Sequence, residues 1–263
     1  MGHSKDQEVQ DGPTKVHGLQ NIVDIATGTD HVLALDASGH VYSWGNGQQM
    51  QLGRRIVARR MLNGLTPERI AHKRFAKIGA GAYHSFAIDS EGKAYAWGLN
   101  TYGQCGNNDV SVDNVPSVAP IKALEDERFA DIQGGEHHTI ALTKDGRLFG
   151  FGRSDSHQLG LGYTEAPGSE TSDSFKKAIR EPTLIPGLPT ITAISVGSNH
   201  TLALTQAGDV YAWGFGEMYA CGNGEEEDVE KPLLLEGKQI ENVVIRKVAG
   251  GGQHSVILGA PAT

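Results

Sequence analysis

Short apolar runs recur along this chain at a fixed distance from a Gly-x-x-His signature. VLAL follows Gly28 and His31, SFAI follows Gly81 and His84, TIAL follows Gly135 and His138, TLAL follows Gly197 and His200, and SVIL follows Gly251 and His254. The histidines are spaced by 53, 54, 62 and 54 residues. Eight residues after each of the first four stands a glycine: Gly39, Gly92, Gly146 and Gly208. Five residues further on comes an aromatic–glycine pair, Trp44-Gly45, Trp97-Gly98, Phe151-Gly152 or Trp213-Gly214, and nine after that aromatic another glycine, Gly53, Gly106, Gly160 or Gly222. All three tryptophans occupy one slot and five of the 11 histidines another, a register that only an internal repeat produces.

Within each unit the pattern predicts strand, turn, strand. The runs after each histidine are short and rich in β-formers, and D-x-x-G or a similar segment supplies turn chemistry. VYSW, AYAW, LFGF and VYAW then place two aromatics at i and i+2, on one face of a second strand, with Ser43, Ala96, Gly150 or Ala212 between them. One face is therefore packed by large rings and the other closely approached. A unit of about 55 residues built from strands and turns has the size of one propeller blade. The unit boundaries fall at 28–80, 81–134, 135–196 and 197–250, with 1–27 the tail of a broken unit and 251–263 the start of a closing one, all in one domain.

Composition supports many tight turns. Glycine accounts for 35 of 263 residues and proline for only 10, with the glycines spread along the chain. No apolar run approaches the ~18 residues of a membrane span, and MGHSKDQEVQ has no apolar core of the signal-peptide kind. A net charge of −8 makes no electrostatic case for nucleic acid or an acidic membrane. Two cysteines give no disulfide framework and fit a reducing compartment. Cys105 and Cys221 share the slot of Leu52, so both are expected to be small core hydrophobes. No P-loop, zinc motif or nucleophile elbow appears, so neither a cofactor nor a small-molecule substrate is expected.

The order G-x-x-H-x-x-A-L, G-x-V-Y-x-W-G, Q-L-G resembles the regulator of chromosome condensation repeat family over essentially the whole chain. The resemblance implies an all-β, seven-bladed propeller, of which about four and a half units are present. WD repeats, with a Trp-Asp pair and a shorter period, do not fit. Seven units of about 55 residues would need roughly 390, and Met1 occupies the Leu slot of a broken repeat. The expectation is a chain that starts mid-blade with about 130 residues upstream, poorly stable or prone to associate when isolated.

The spacers, among them TGTDHVLAL and GKQIENVVIRKVAGGGQHSVIL, are similar to the fungal forms of the branch of this family that exchanges guanine nucleotide on the small GTPase Ran. That resemblance implies Ran as partner, histones or chromatin as a further contact of the complete protein, and a nuclear location. It places Asp30, Arg54, His137 and His254 on the Ran-binding face. Two departures stand out: Gly103 occupies a turn position that is His in the animal forms, and the wedge that pushes on the nucleotide site corresponds to the stretch before Met1. The alternatives are a propeller used only as an interaction scaffold and a member that no longer binds Ran.

Plainer readings stand beside these. His31, His84, His138, His200 and His254 recur once per unit, so a shared hydrogen bond explains them better than a metal. Trp44, Trp97, Phe151 and Trp213 are structural in the same way. His254 has a place in both sets, and Asp30 and His137 are equally readable as solvated turn residues. The basic cluster Arg54, Arg55, Arg59 and Arg60, the acidic residues 225–228 and the polar insert at 164–175 read as loops.

Overall fold

The computed structural model describes residues 12–56, 64–109, 111–164 and 177–262. They form five antiparallel sheets. The first comprises β1 (Ile22–Thr27), β2 (His31–Asp36), β3 (Val41–Gly45) and β4 (Glu68–Ile70). The second comprises β5 (Lys77–Ala80), β6 (His84–Ile88), β7 (Ala94–Leu99) and β8 (Asn114–Pro120). The third comprises β9 (Phe129–Gly134), β10 (His138–Thr143), β11 (Leu148–Arg153) and β12 (Ala178–Leu184), and the fourth β13 (Ile191–Val196), β14 (His200–Thr205), β15 (Val210–Gly214) and β16 (Val229–Leu234). The last pairs β17 (Val243–Gly250) with β18 (Ser255–Pro261). The first strands β1, β5, β9, β13 and β17 pack side by side in that order, so the sheets stand radially in an arc, as in a propeller.

Sequence units and sheets are offset by one strand. Each of the first four repeat histidines opens the second strand of its sheet, and His254 directly precedes it, so a unit such as 81–134 contributes β6, β7 and β8 to one sheet and β9 to the next. Every sheet after the first is therefore assembled from two consecutive copies of the repeat.

The repeat's signature residues meet between sheets. His31 Nε2 lies 2.7 Å from Ser85 Oγ in the next sheet. Ser85 Oγ donates to the Gln51 carbonyl at 2.9 Å, and Trp97 Nε1 donates to the same carbonyl at 2.9 Å. A hydroxyl has one proton to give, so Ser85 accepts from the ring and the imidazole carries its proton on Nε2. The same latch recurs from His84 Nε2 to Thr139 Oγ1 at 3.1 Å and from Thr139 to the Gln104 carbonyl at 2.7 Å. It recurs again from His200 Nε2 to Ser255 Oγ at 3.0 Å and from Ser255 to the Ala220 carbonyl at 2.6 Å. The third joint is looser: Thr201 Oγ1 reaches the Gln158 carbonyl at 3.5 Å, and both ring nitrogens of His138 are buried without a partner. There Trp213 Nε1 still donates to the Gln158 carbonyl at 3.1 Å. Phe151 has no indole N–H and packs fully buried, while Trp44 fills the same slot in the first sheet. His254 is exposed, its ring over Gly251.

The glycine of Gly-x-x-His follows from this arrangement, because the imidazole lies on it. A Cβ at Gly28 would stand 2.3 Å from His31 Cε1, and at Gly81, Gly135, Gly197 and Gly251 the same contact would be 2.2 Å. The small residue of the aromatic strand is explained as well. The Q-L-G segment folds back over it, with Ser43 Oγ donating to the Leu52 carbonyl at 2.7 Å. Leu52, Cys105, Leu159 and Cys221 all fill this buried position. Both cysteines are free, and burial pushes their thiols up, that of Cys221 to about 12.

The two flanks of the arc are apolar. Ile25 is 62% exposed, whereas its counterparts Ile78, Ile132 and Ile194 are at most 4% exposed. Leu258 is 59% exposed against 6% for Leu204. Each such side chain forgoes about 1.5–3 kcal/mol of burial.

Two outcomes are expected. Thr139→Val removes a hydroxyl that serves both His84 and Gln104, so it should lower stability by about 1–3 kcal/mol in urea unfolding. Thr201→Val, at the loose joint, should cost clearly less; equal costs would remove the latch from the account. Burial also holds the imidazoles down, His31 to about 4 and His138 to about 3, with His84 and His200 lowered too. The unfolded chain then takes up protons below pH 6.5 that the fold refuses. Stability should be full above pH 6.5 and fall toward pH 4, by on the order of 2 kcal/mol per fully desolvated ring at pH 5. An unfolding midpoint flat between pH 7.5 and 5 would contradict this.

Candidate functional site

Antiparallel order brings the turn between the first and second strands and the loop between the third and fourth to one end of every sheet. At that end the turns of neighbouring sheets bond to each other. Thr29 N donates to the Ala82 carbonyl at 3.1 Å, Ala82 N to Gly135 at 2.9 Å, Glu136 N to Ser198 at 2.8 Å and Ser198 N to Gly251 at 3.1 Å. The arc of turns lines an open cavity of about 890 Å³, with Thr29, Tyr83, Glu136, Asn199 and Gln253 on its glycine-rich wall. One slot, just before the repeat histidine, holds Asp30, Tyr83, His137, Asn199 and Gln253 in turn, so the face differs from sheet to sheet while the fold beneath repeats.

Asp30 is half-buried in the first turn. Its carbonyl accepts from Asn46 N at 2.7 Å, an approach possible because Gly45 has no Cβ, which would stand 2.2 Å from that oxygen. Its side chain lines a second cleft of about 680 Å³ with Asn46, Met50, Arg55, Ile56 and Leu65. No hydrogen bond or ion pair among the described residues involves its carboxylate. Arg54 is turned into the protein instead. Its guanidinium bonds Glu68 Oε2 at 3.1 Å, the Ser43 carbonyl at 3.3 Å and Ser43 Oγ at 3.4 Å, tying β3 to β4, and burial lowers its pKa. His137 is half-buried in the third turn and His254 exposed in the fifth. Asp30, His137 and His254 thus share one end of the molecule on alternate sheets, with no hydrogen bond or ion pair joining them. Arg55 stands beside the Asp30 cleft, while Arg59, Arg60 and residues 165–175 of the polar insert lie outside the described residues. The acidic residues 225–228 are exposed, with Asp228 Oδ1 accepting from Gly216 N at 3.0 Å.

The RCC1-like domain profile matches residues 1–257. The chain belongs to the RCC1-like domain family. It is 45% identical to Protein pim1 of Schizosaccharomyces pombe over 99% of its own length and 49% of that protein. It is 37% identical to guanine nucleotide exchange factor SRM1 of Saccharomyces cerevisiae, over 97% of this chain and 55% of that one. The crystal structure of Prp20p from Saccharomyces cerevisiae, reported with its binding properties to Gsp1p and histones, superposes with a TM-score of 0.91 at 36% identity, covering all of this chain and 62% of that one. The chain spans about half the length of the curated relatives it matches.

In this RCC1-like chain the face also carries a cluster that the sequence reading did not single out. The ring of His137 stacks on Tyr83 at 5.8 Å and lies 5.2 Å from Tyr102. The Arg153 guanidinium stands over Tyr102 at 5.8 Å and pairs with Asp155 at 2.7 Å. His137 Nδ1 is buried without a partner, and Glu136 Oε1 is 3.9 Å from Nε2. Burial is the leading cause that lowers the His137 pKa, so the ring is neutral at pH 7. The signal lay in the departures from the repeat: Arg153 and Asp155 stand where the first unit has Asn46 and Gln48. At Gly103, φ is +81° and a Cβ would lie 2.6 Å from Arg180 Cα. Arg180 donates to the Asn100 carbonyl at 3.4 Å and to the Thr101 carbonyl. The space beside Gly103 is therefore occupied by Arg180. Removing the ring that covers His137, by Tyr102→Ala, should raise the imidazole pKa toward 6.5 in an NMR titration. An unchanged titration would locate its burial elsewhere.

Proposed function

We propose that this chain is part of a guanine-nucleotide exchange factor for the small GTPase Ran, and that the end carrying the variable turns is the face that holds Ran. The observation that carries the reading is the single slot occupied by Asp30, Tyr83, His137, Asn199 and Gln253, which concentrates chemical variety on one end of an otherwise repeated fold. The names of the relatives, an exchange factor and a Gsp1p- and histone-binding protein, support it. On this reading the protein is a regulator without bond-making chemistry of its own, with histones or chromatin as a further partner and the nucleus as its place of action.

Exchange then follows from linkage. A factor that binds nucleotide-free Ran more tightly than Ran·GDP must weaken GDP binding by the same factor. The Asp30 carboxylate, held in an open cleft, competes for cationic groups or for Mg²⁺ that would otherwise stabilise bound nucleotide. His137 offers a neutral, desolvated ring framed by aromatics, and His254 an exposed one. Arg54 contributes only if a partner displaces Glu68 and Ser43. That engagement favours the second reading, a propeller used as an interaction scaffold.

The test is release of fluorescent GDP from Ran, driven by the chain alone and by a chimera in which it replaces the matching stretch of SRM1. Acceleration by the chimera, reduced about tenfold or more by Asp30→Ala, is the expected result. A folded chimera that leaves release unchanged would leave the scaffold reading. Asp30→Ala with full exchange would return Asp30 to an ordinary turn residue.

A further inference from the structure

The groups that hold the His137 ring come from three consecutive sheets. Tyr83 of the second sheet stacks on it, 26° from parallel, and Tyr102 of the same sheet tilts over it at 5.2 Å. A glutamine fixes each of the loops involved: Gln104 Oε1 accepts from Tyr102 N, and Gln158 Oε1 from Ser156 N beside Asp155, each at 2.9 Å. In the third sheet, Arg153 N donates to the His137 carbonyl at 2.9 Å. From the fourth sheet, Asn199 Nδ2 donates to Glu136 Oε2 at 3.3 Å, and the Ser198 carbonyl accepts from Glu136 N at 2.8 Å. Backbone and side chain of Glu136 are thus both tied to the next turn. Each of these three sheets has a described sheet on either side, so the setting of the ring is not that of a flank.

A neutral imidazole carries one proton, and two features decide on which nitrogen. His137 Nδ1 is buried with no partner, and Nε2 lies 3.9 Å from Glu136 Oε1. A proton on Nδ1 would be a buried donor left unpaired, and the lone pair of Nε2 would face a carboxylate. A proton on Nε2 turns the positive end of the N–H toward that carboxylate and leaves Nδ1 as an unpaired acceptor, the better tolerated of the two. The other charges beside the ring largely cancel, since Arg153 pairs with Asp155 at 2.7 Å, and burial keeps His84 and His138 neutral. Glu136 is the charge that remains.

Resting on the exchange-factor reading above, we infer that Glu136, held by Asn199, is a positioning residue for His137: it keeps the imidazole in the Nε2–H form, so that His137 donates a hydrogen bond to an acceptor oxygen of nucleotide-free Ran. The gap of 3.9 Å is what makes this workable. It is too long for a hydrogen bond, so the N–H is not consumed, and short enough for the charge to select the tautomer. The five turns hold Thr29, Ala82, Glu136, Ser198 and Gly252 at this place, so only the third carries a charge there.

The test reads tautomer and binding separately. Two-bond proton–nitrogen NMR spectra of the full chain, labelled on histidine and assigned with His137→Gln, show which nitrogen of His137 is protonated with no partner present. The expected result is Nε2–H in the unsubstituted chain, a growing share of Nδ1–H in Glu136→Gln and a majority of it in Glu136→Lys. Both substitutions should also make the ring titrate at lower pH, the opposite of Tyr102→Ala. In the SRM1 chimera they should weaken affinity for nucleotide-free Ran about threefold to tenfold at an unchanged urea midpoint, and cost nothing further once His137 is replaced by alanine. Nδ1–H in the unsubstituted chain, a tautomer indifferent to Glu136→Lys, or a lowered midpoint would each overturn the inference. So would a loss of affinity that persists in the His137→Ala background, which would make Glu136 a direct contact. If the unsubstituted chimera has no affinity for nucleotide-free Ran, the exchange-factor reading fails and the donor role toward Ran falls with it, while the spectra still decide whether Glu136 sets the tautomer.

Discussion

The rest of this structure depends on one hydrogen-bonded relay, in which a buried histidine donates to a hydroxyl of the next sheet and that hydroxyl donates back to a carbonyl of the histidine's own sheet. Away from the backbone bonds between their turns, sheets in such an arc touch through side chains, and apolar packing has little directional preference. The relay supplies the direction. Ser85 is held by His31 and Gln51 together, so the second sheet can neither slide nor rotate against the first without breaking two bonds. Residues that look unrelated in the sequence answer to this demand. The glycine three places before the histidine clears the ring, the tryptophan doubles the load on the carbonyl, and the glutamine fixes the loop that presents it.

That rigidity lets the exposed end vary. The turns carrying Asp30, Tyr83, His137, Asn199 and Gln253 are bonded to one another by backbone groups, which any residue but proline supplies. Side chains there are released from structural duty, and the face becomes a set of interchangeable positions on an invariant frame. The His137 cluster shows how far this goes: two tyrosines of the neighbouring sheet pack on one neutral ring, and an arginine of the ring's own sheet stands over the second of them, with no contribution from the repeat's own signature.

Much of this was legible in the sequence, for a physical reason. A contact made once per unit leaves a periodic trace, so the histidine, the aromatic strand and the buried role of Cys105 and Cys221 could all be read from spacing. Contacts made once leave none. The pairing of Arg54 with Glu68 and Ser43 joins residues 14 and 11 positions apart, with no repeat to announce it. The occupation of the Gly103 site by Arg180 spans 77 positions along the chain. The contact of Tyr102 with His137 likewise depends on how two loops fall across a sheet boundary. The left-handed backbone shared by Met50, Gly103, His157 and Tyr219, with φ of 62°, 81°, 55° and 58°, leaves no trace in the sequence because it is periodic in conformation and not in residue type.

The one-strand offset between repeat and sheet bears on how such a chain changes length. A duplication or loss that respects the sequence unit takes three strands from one sheet and the opening strand of its neighbour. The cut ends then mate as before, with an equivalent histidine and hydroxyl residue facing each other at the new joint. Copy number can drift in the gene without ever producing half a sheet in the interior. The positions that a neighbouring sheet would cover are exposed only at the two flanks of the arc, as Ile25 and Leu258 are.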